Sequence, residues 1–258
     1  MRYAAVLIFL AAILNAQVNA SAAAVRGIAV EKTSFQITLD DGRTMTQEEL
    51  PGIILTLGDG SGQQRRIKIE SVEPDGLDPK HEVVLYSFLE QNKETGAWSN
   101  VCAPDPAGRR LGFPVTGKFT ADARHVASPN QLLIACTAGA EGKCIRLGYR
   151  PWLAEAGEAH YQACIRMIRA DYCGDGVSHT KDGTLITMAD RIGIRSDRPT
   201  SAMTLEAHWA AEGAVCVNHT RIPRSFDMND LARACPDHVI PRCGDSGTAG
   251  LIENASGG

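Results

Sequence analysis

Residues 34–42 read Ser-Phe-Gln-Ile-Thr-Leu-Asp-Asp-Gly. Apolar Phe35, Ile37 and Leu39 alternate with polar residues, and a turn-forming Asp-Asp-Gly follows them. Because the side chains of a strand point to the two faces of its sheet in turn, this alternation predicts a strand with one buried face. The Asp-Gly step predicts a tight turn after the strand. The stretch therefore predicts antiparallel β-structure near the start of the chain.

The same pattern extends through the first half of the chain. Short apolar or alternating runs separated by Gly- and Asp-containing turns predict further strands, at residues 53–57, 67–70, 83–89 and 97–102. Several short strands with turn signals between them favour an antiparallel sandwich or an open barrel. We therefore expect a β-rich N-terminal module over residues 21–128.

The second half of the chain predicts a mixture of strands and helices after a proline-rich connection. The predicted strands are residues 132–136, 185–188, 203–209 and 214–218, and the predicted helices are residues 139–148, 159–170 and 228–234. This pattern predicts a small Cys-rich α+β region at residues 129–243, packed on the β-rich module, and a flexible tail at residues 244–258. The predicted fold class is α+β.

The predicted helix at residues 159–170 has a clear apolar face. Its apolar positions recur at helical spacing, which predicts that they pack on the core: Tyr161, Cys164, Ile165 and Ile168. Arg166 and Arg169 fall on the other side of this helix. We expect both arginines to point away from the core.

The first 20 residues have the pattern of a secretory signal peptide. One positive charge at Arg2 precedes an apolar run from Ala4 to Leu14, and Val18-Asn19-Ala20 offers small residues for cleavage. The run is shorter than the roughly 20 residues that a bilayer-spanning helix requires. We expect cleavage after Ala20, a secreted or periplasmic location, and no membrane span in the mature chain.

The charge balance of the chain argues against a nucleic-acid partner. The 258 residues include 26 Lys and Arg against 30 Asp and Glu, which gives a formal net charge of -4. Proteins that bind nucleic acid use clustered Lys and Arg to displace phosphate counterions. We therefore expect a protein or another envelope component as the partner.

The cysteines predict four disulfides. The chain has eight of them and no C-x-x-C spacing: Cys102, Cys136, Cys144, Cys164, Cys173, Cys216, Cys235 and Cys243. An even number in an exported chain favours disulfides over metal ligands or reactive thiols. A local bond between Cys235 and Cys243 is the favoured pairing, and the others remain open. A bond between Cys164 and Cys173 is disfavoured if one helix contains both, because nine helical residues span about 13 Å.

Ionisable and polar side chains are densest in two stretches of the chain. The first is residues 148–152, Gly-Tyr-Arg-Pro-Trp, and the second is residues 170–184, Ala-Asp-Tyr-Cys-Gly-Asp-Gly-Val-Ser-His-Thr-Lys-Asp-Gly-Thr. In the second stretch the candidate catalytic residues are Asp171, Asp175, His179 and Asp182. Carboxylates near an imidazole suit general acid–base chemistry or a hard-cation site. The alternative is structural, because aspartates beside glycines cap helices and close tight turns.

A zinc site is a separate alternative. His160, Cys164, Cys173 and His179 would supply the imidazole and thiolate ligands that zinc prefers. The export signal favours disulfides at these cysteines instead. We therefore expect neither a metal nor another cofactor.

These residues resemble the ADYC domain family of bacterial exported proteins, which is named for the four residues found here at 170–173. The resemblance extends over residues 25–221, and residues 222–258 lie outside it. Its motif residues in this chain include Tyr149, Trp152, Tyr172, His219 and Arg221. The resemblance implies a shared fold and an envelope location, but it implies no activity and no mechanism.

The sequence favours a non-enzymatic function. We expect a disulfide-stabilised binding or structural module of the bacterial envelope. One alternative is a secreted hydrolase that uses the Asp171, Asp175 and His179 region. Another is a secreted effector or inhibitor that presents loops to a partner protein.

Overall fold

A β-hairpin that contains residues 34–39 begins the described part of the molecule. The computed structural model describes residues 25–58, 63–154, 157–236, 238–244 and 250–257. Strand β1 (Val25–Glu31) pairs antiparallel with β2 (Ser34–Leu39). Phe35, Ile37 and Leu39 are buried, so the alternation predicts the buried face correctly. The predicted signal peptide at residues 1–20 lies outside the described residues.

The hairpin packs on a six-stranded antiparallel sheet. The chain forms β3 (Ile54–Gly58), β4 (Gln64–Pro74), β5 (Val84–Gln91), β6 (Trp98–Asn100), β7 (Gly112–Thr116), the short pair β8 (Lys118–Phe119) and β9 (His125–Val126), and β10 (Leu132–Cys136). The sheet order is β10-β7-β5-β4-β3, and β6 pairs with β5. Phe35 contacts Tyr86 and Phe88 edge-on, with ring centroids 5.5 and 6.1 Å apart, so aromatic packing joins the hairpin to the sheet face.

Helices and a second sheet form the C-terminal half. The elements are α1 (Ala140–Arg146), α2 (Gly157–Arg169), β11 (Ile186–Asp190), β12 (Thr204–Ala210), β13 (Gly213–Val217), α3 (Met228–Ala234) and β14 (Ile252–Ser256). The four strands form an antiparallel sheet in the order β11-β14-β12-β13, and α2 packs on it. The α+β class is confirmed. The longest helix among the described residues has 13 residues, and none of these helices is long and apolar enough to cross a membrane.

The prediction of a flexible tail at residues 244–258 is wrong for the last strand. β14 lies between β11 and β12 and pairs with both. Asn254 and Ser256 are buried, and Ile252 is 1% exposed. The C-terminal strand is therefore an inner strand of the second sheet, where two neighbours satisfy its backbone.

Four disulfides join elements of the fold. They are Cys102–Cys136, Cys144–Cys164, Cys173–Cys235 and Cys216–Cys243. The predicted count is confirmed. The disfavoured Cys164–Cys173 bond is not formed, although α2 ends at Arg169 and so does not contain both cysteines, which was the condition of that prediction. The local Cys235–Cys243 pairing is wrong. Each of these two cysteines bonds across the fold instead, Cys235 to Cys173 and Cys243 to Cys216.

Buried ion pairs connect the two halves of the molecule. Arg146 at the end of α1 contacts Asp75 at 2.6 Å, and Arg150 contacts Asp78 at 2.6 Å. Asp75 and Asp78 lie in the loop between β4 and β5, and both are 2% exposed. Arg150 also pairs with Glu82. Charges on the two sides of the boundary therefore neutralise each other where water is excluded.

Asp78 has an unusually low pKa. Burial alone would raise the pKa of this carboxyl, but the Arg150 guanidinium and the N–H groups of Lys80, Glu82 and Val83 outweigh burial and lower the pKa from 3.8 to about 2. The ionised form is thus favoured in the folded state. This contribution to stability is present above the ordinary pKa and is lost as the pH falls through about 2.

We expect Asp78→Asn to lower the free energy of unfolding by about 2–3 kcal/mol near neutral pH, because it removes the more deeply buried of the two carboxylates that pair with Arg150 and leaves only Glu82. The wild type should lose part of this difference between about pH 4 and 2, and the variant should not. Urea unfolding across this pH range measures both effects. The exposed Asp40→Asn is the control, and equal stability of Asp78→Asn and wild type near neutral pH would contradict the role of the ion pair.

Candidate functional site

The stretch at residues 170–173 begins where helix α2 ends. Ala170 has a φ of 49°, in the left-handed region. Its N–H bonds to the Met167 carbonyl, and the Asp171 N–H bonds to the Arg166 carbonyl. This pair of bonds is the Schellman motif, which usually has glycine at the left-handed position. Ala170 therefore reverses the chain so that Asp171 returns over the last turn of the helix.

Arg166 is fully buried, which contradicts the expectation that it points to solvent. Its guanidinium forms an ion pair with Asp171, and both side chains are 0% exposed. It also donates to the backbone carbonyls of Asp122 and Ala211. Burial raises the pKa of Asp171, and Arg166 opposes this rise. The carboxylate is thus engaged inside the fold, where it also accepts the Gly176 N–H at 3.0 Å.

Tyr172 inserts between the helix and the second sheet. Its hydroxyl donates to Glu206 at 3.0 Å and accepts the Arg221 N–H at 2.8 Å. Arg221 donates to both Glu206 oxygens, at 3.0 and 3.1 Å, and Asn254 donates to one of them at 2.9 Å. Trp209 completes the group by donating to Asn254 at 2.7 Å. We call these five residues the buried polar frame.

The next residues fasten the stretch to neighbouring elements. Cys173 forms the disulfide with Cys235 after α3. Gly174 has a φ of 71°, and a Cβ at this position would lie 1.7 Å from the Glu212 carbonyl oxygen. The Ala214 N–H bonds to the Tyr172 carbonyl at 2.9 Å. Only glycine allows the stretch to approach the turn between β12 and β13 this closely.

The catalytic candidates occupy different environments. Asp171 is buried in its ion pair, and Asp175 is exposed and accepts the Val177 N–H at 2.9 Å within a local turn. The His179 ring stacks on Phe226 with centroids 3.7 Å apart. Asp182 is exposed beside Gly183 in a separate turn. The structure thus brings Asp171, Asp175 and His179 into one region but engages them in separate local contacts.

The pKa of His179 is consistent with this packing. Burial lowers the pKa from 6.5, and the negative charges of Asp175 and Asp171 oppose this effect. The imidazole is therefore neutral near pH 7. Its ring packs as an aromatic side chain against Phe226 and, more distantly, against Tyr172.

The zinc alternative at His160, Cys164, Cys173 and His179 is wrong. Cys164 bonds to Cys144, and Cys173 bonds to Cys235. These two sulfurs therefore belong to different disulfides. In the described part of the chain, the four side chains also do not come together as a group of potential zinc ligands.

The other motif residues also make structural contacts. The Tyr149 hydroxyl donates to Asp190 at 2.8 Å, and burial together with Asp190 raises the pKa of this phenol. Trp152 is half-buried and packs against the core. His219 contacts the Thr204 hydroxyl at 3.1 Å. These contacts hold loops against the second sheet.

A comparison with known protein families shows which family this chain belongs to. The family model of the ADYC domain matches residues 47–223, which is more than half of the chain. The chain belongs to the ADYC domain family. No curated protein and no solved structure shows significant similarity to it. The ADYC residues, Ala170 to Cys173, each have a defined structural role: helix termination, ion pairing, the buried polar frame and a disulfide.

The main cleft lies away from the ADYC residues. It has a volume of about 1270 Å³ and is bordered by parts of β1, β3, β4 and β10, with Phe119 and Val101 among its apolar residues. None of the four catalytic candidates lines it. Any ligand of this cleft would contact the N-terminal half.

Sequence reasoning missed three central residues: Arg166, Glu206 and Asn254. The helical pattern puts Arg166 on the solvent side of its helix, and Asn254 lies in the predicted tail. A signal for Glu206 exists, because it is the one acidic residue in the largely apolar stretch Leu205 to Ala211. A charge at such a position predicts a buried partner.

Replacing Tyr172 with Phe tests the buried polar frame. We expect this change to lower the free energy of unfolding by about 1–3 kcal/mol, because Glu206 loses a donor and the Arg221 N–H loses its acceptor. Tyr161→Phe is the matched control, since the Tyr161 hydroxyl is buried without a hydrogen-bond partner among the described residues. That control should be neutral or stabilising. Denaturant unfolding measures both, and equal losses in the two variants would contradict the frame.

The lowered pKa of His179 predicts a pH effect on stability. As the pH falls, His179 takes up a proton in the unfolded chain at a higher pH than in the folded protein. The free energy of unfolding should therefore fall as the pH drops below about 6.5. His179→Phe preserves an aromatic stack and should reduce the loss between about pH 7 and 5. Thermal unfolding of both proteins at the two pH values measures it. An unchanged loss in the variant would show that His179 titrates as it does in water.

Proposed function

We propose that this ADYC domain protein is an exported, non-enzymatic binding module that holds an extended acidic peptide segment of a partner protein in its main cleft. One observation carries the proposal: two strand edges without a strand partner border the same apolar cleft. In the described residues β1 pairs only with β2, and β10 pairs only with β7. Unpaired edges of this kind accept an added strand through backbone hydrogen bonds.

The register of β10 shows which of its backbone groups are available. The Gly117 N–H bonds to the Gln131 carbonyl, and the Thr137 N–H bonds to the Leu111 carbonyl. In an antiparallel pair, every second residue of a strand forms hydrogen bonds to the neighbouring strand. The two bonds show that the odd-numbered residues of β10 are the ones that bond to β7. The N–H and C=O groups of Leu132 and Ile134 therefore point to the free edge. The backbone groups of these two residues can therefore bond to a strand added beside β10.

The side chains of the cleft indicate the chemistry of the peptide. Leu132, Leu133 and Ile134 contribute apolar surface that is half-buried in the free protein. Among the described residues, the charged side chains that line the cleft are those of Arg65 and Lys118, and none of these lining residues is a carboxylate. Arg65 is paired with Glu90, whereas Lys118 is exposed. A segment that alternates apolar and acidic residues complements this surface.

The C-terminal half supports the cleft as a scaffold in this proposal. Its motif residues are held by hydrogen bonds, ion pairs and disulfides, and the Cys102–Cys136 bond fixes the end of β10 itself. Export is supported by the pattern of residues 1–20 and by four disulfides, which persist in oxidising compartments. The hydrolase alternative lacks a comparable observation, since the aspartates and His179 have separate local contacts.

Peptide binding tests the proposal. An array of eight-residue peptides that alternate Asp or Glu with apolar residues is screened with the protein, and the affinity of the best binder is measured by fluorescence anisotropy. Leu132→Pro removes one N–H from the free edge without breaking a bond to β7, and Leu132→Ala keeps that N–H. We expect Leu132→Pro to bind roughly fivefold more weakly than Leu132→Ala, as loss of about 1 kcal/mol predicts.

The controls separate charge from folding. Peptides with Lys in place of the acidic residues should not bind, and Lys118→Glu should weaken binding of the acidic ones. Unchanged thermal unfolding shows that each variant is folded. Equal affinities of the Pro and Ala variants, or no binding anywhere on the array, would overturn the proposal. Cleavage of a peptide that is lost in His179→Phe would favour the hydrolase instead.

A further inference from the structure

Three neighbouring strands place a histidine between a cysteine and a glutamate. In the second sheet, His208 on β12 is directly opposite Cys216 on β13 and opposite Glu253 on β14. Directly opposed residues of antiparallel strands lie on the same face of a sheet. Imidazole, sulfur and carboxylate therefore form a row across rigid backbone.

Cys243 completes this cluster through its disulfide with Cys216. The His208 nitrogen and the two sulfurs lie within 4.8 Å of one another, and they form the one such potential metal-binding group of His, Cys, Asp and Glu found in the described part of the chain. The Glu253 carboxylate lies 3.6 Å from the His208 Nε2. Two sulfurs, one imidazole and one carboxylate match the ligand types of tetrahedral zinc.

Hydrogen bonds hold Cys243 beside β13 independently of the disulfide. The Val217 N–H bonds to the Pro241 carbonyl at 2.9 Å, and the Cys243 N–H bonds to the Asn218 side-chain oxygen at 3.1 Å. Arg242 donates to the Asn218 carbonyl at 2.8 Å. If the disulfide opened, these bonds would keep the two thiols adjacent.

The cluster is accessible from outside. Cys243 is half-buried, and the His208 side chain is 21% exposed. A small cavity of about 110 Å³ borders His208 and Glu253. Cys216, the disulfide partner of Cys243, is 2% exposed, whereas both cysteines of Cys144–Cys164 are 0% exposed. The other two disulfides also have one half-buried cysteine each, Cys136 and Cys173. A small dithiol and a hydrated ion can thus reach the Cys216–Cys243 side of the sheet.

We propose that Cys216–Cys243 is a redox switch that, when reduced, forms a zinc site with His208. Glu253 lies outside the 4.8 Å group, so its exposed side chain must turn toward the sulfurs to become the fourth ligand. In the first step a dithiol attacks one sulfur, the protein disulfide breaks, and a second exchange releases two cysteine thiols and the oxidised dithiol. This transfers two electrons and two protons to the protein. In the second step Zn²⁺ displaces the two thiol protons and binds both thiolates, the imidazole and the carboxylate.

The two sulfurs need only small movements to bind zinc. An ordinary disulfide holds its sulfurs about 2 Å apart. Two thiolates at about 2.3 Å from a tetrahedral zinc lie about 3.8 Å apart, so they must separate by less than about 2 Å. The site does not depend on the proposed peptide cleft, which lies in the other sheet.

Selective reduction followed by metal binding tests this proposal on the full chain. The protein is titrated with dithiothreitol without metal, and free thiols are alkylated and mapped by mass spectrometry. We expect Cys216 and Cys243 to become free before Cys144 and Cys164. At that point the protein should bind one Zn²⁺, and Co²⁺ in its place should give a thiolate-to-cobalt charge-transfer band. The oxidised protein should give neither signal.

Variants that keep the disulfide identify the remaining ligands. His208→Ala should weaken zinc binding by roughly tenfold or more, and Glu253→Gln should weaken it measurably. His81→Asn, at an exposed histidine between β4 and β5, is the control and should not change it. Each variant is first shown to unfold like the wild type when oxidised. Reduction of Cys144–Cys164 first, no zinc bound after reduction, or undiminished binding in His208→Ala would overturn the proposal.

Discussion

The buried carboxylate of Glu206 is the constraint on which the C-terminal half of the molecule depends. It accepts hydrogen bonds from Tyr172, from Asn254 and from the Nε and Nη2 groups of Arg221, so its oxygens are fully used. A buried ion pair adds little net stability over apolar packing, but loss of one partner leaves the other uncompensated. The helix end, the central strand and the last strand must therefore all be in place together. This requirement gives the ADYC tyrosine a structural role that involves no ligand.

Local signals in the sequence predict most of the elements but not their arrangement. Alternation identifies β2 and the other strands of the first sheet, and helical periodicity identifies α2, because each element has one buried face. Strand order depends on contacts between distant residues, which periodicity does not encode. Residues 252–256 show the limit. Their pattern is too short and polar to indicate a strand, and β14 forms because β11 and β12 offer it two edges.

The site was less predictable than the fold, for a physical reason. A sequence pattern predicts that a charged residue faces solvent, because burial of an unpaired charge costs free energy. Only an oppositely charged partner offsets this cost, and the pattern does not identify that partner. The partner of Arg166 follows after a helix end that lacks the usual glycine, and the partner of Glu206 lies on another element. The disulfides show the same limit, since the short Cys235–Cys243 loop is favoured by sequence distance alone. The ADYC motif indicates this region, but it does not indicate that Asp171 pairs with Arg166 or that Asp175 closes a local turn.

The central claim is that residues 170–179, the ADYC segment, are held rigidly by the fold. Hydrogen exchange of the backbone amides tests this claim most directly. Its reporter amides are those of Asp171, Gly176, His179 and Ala214, whose acceptors lie on the helix end or within the segment. If the segment is rigid, these amides should exchange only when the whole protein unfolds. Their free energy of opening should then equal that of the β12 amides. If they exchange within minutes while β12 remains protected, the segment opens locally like a functional loop, and the account is contradicted.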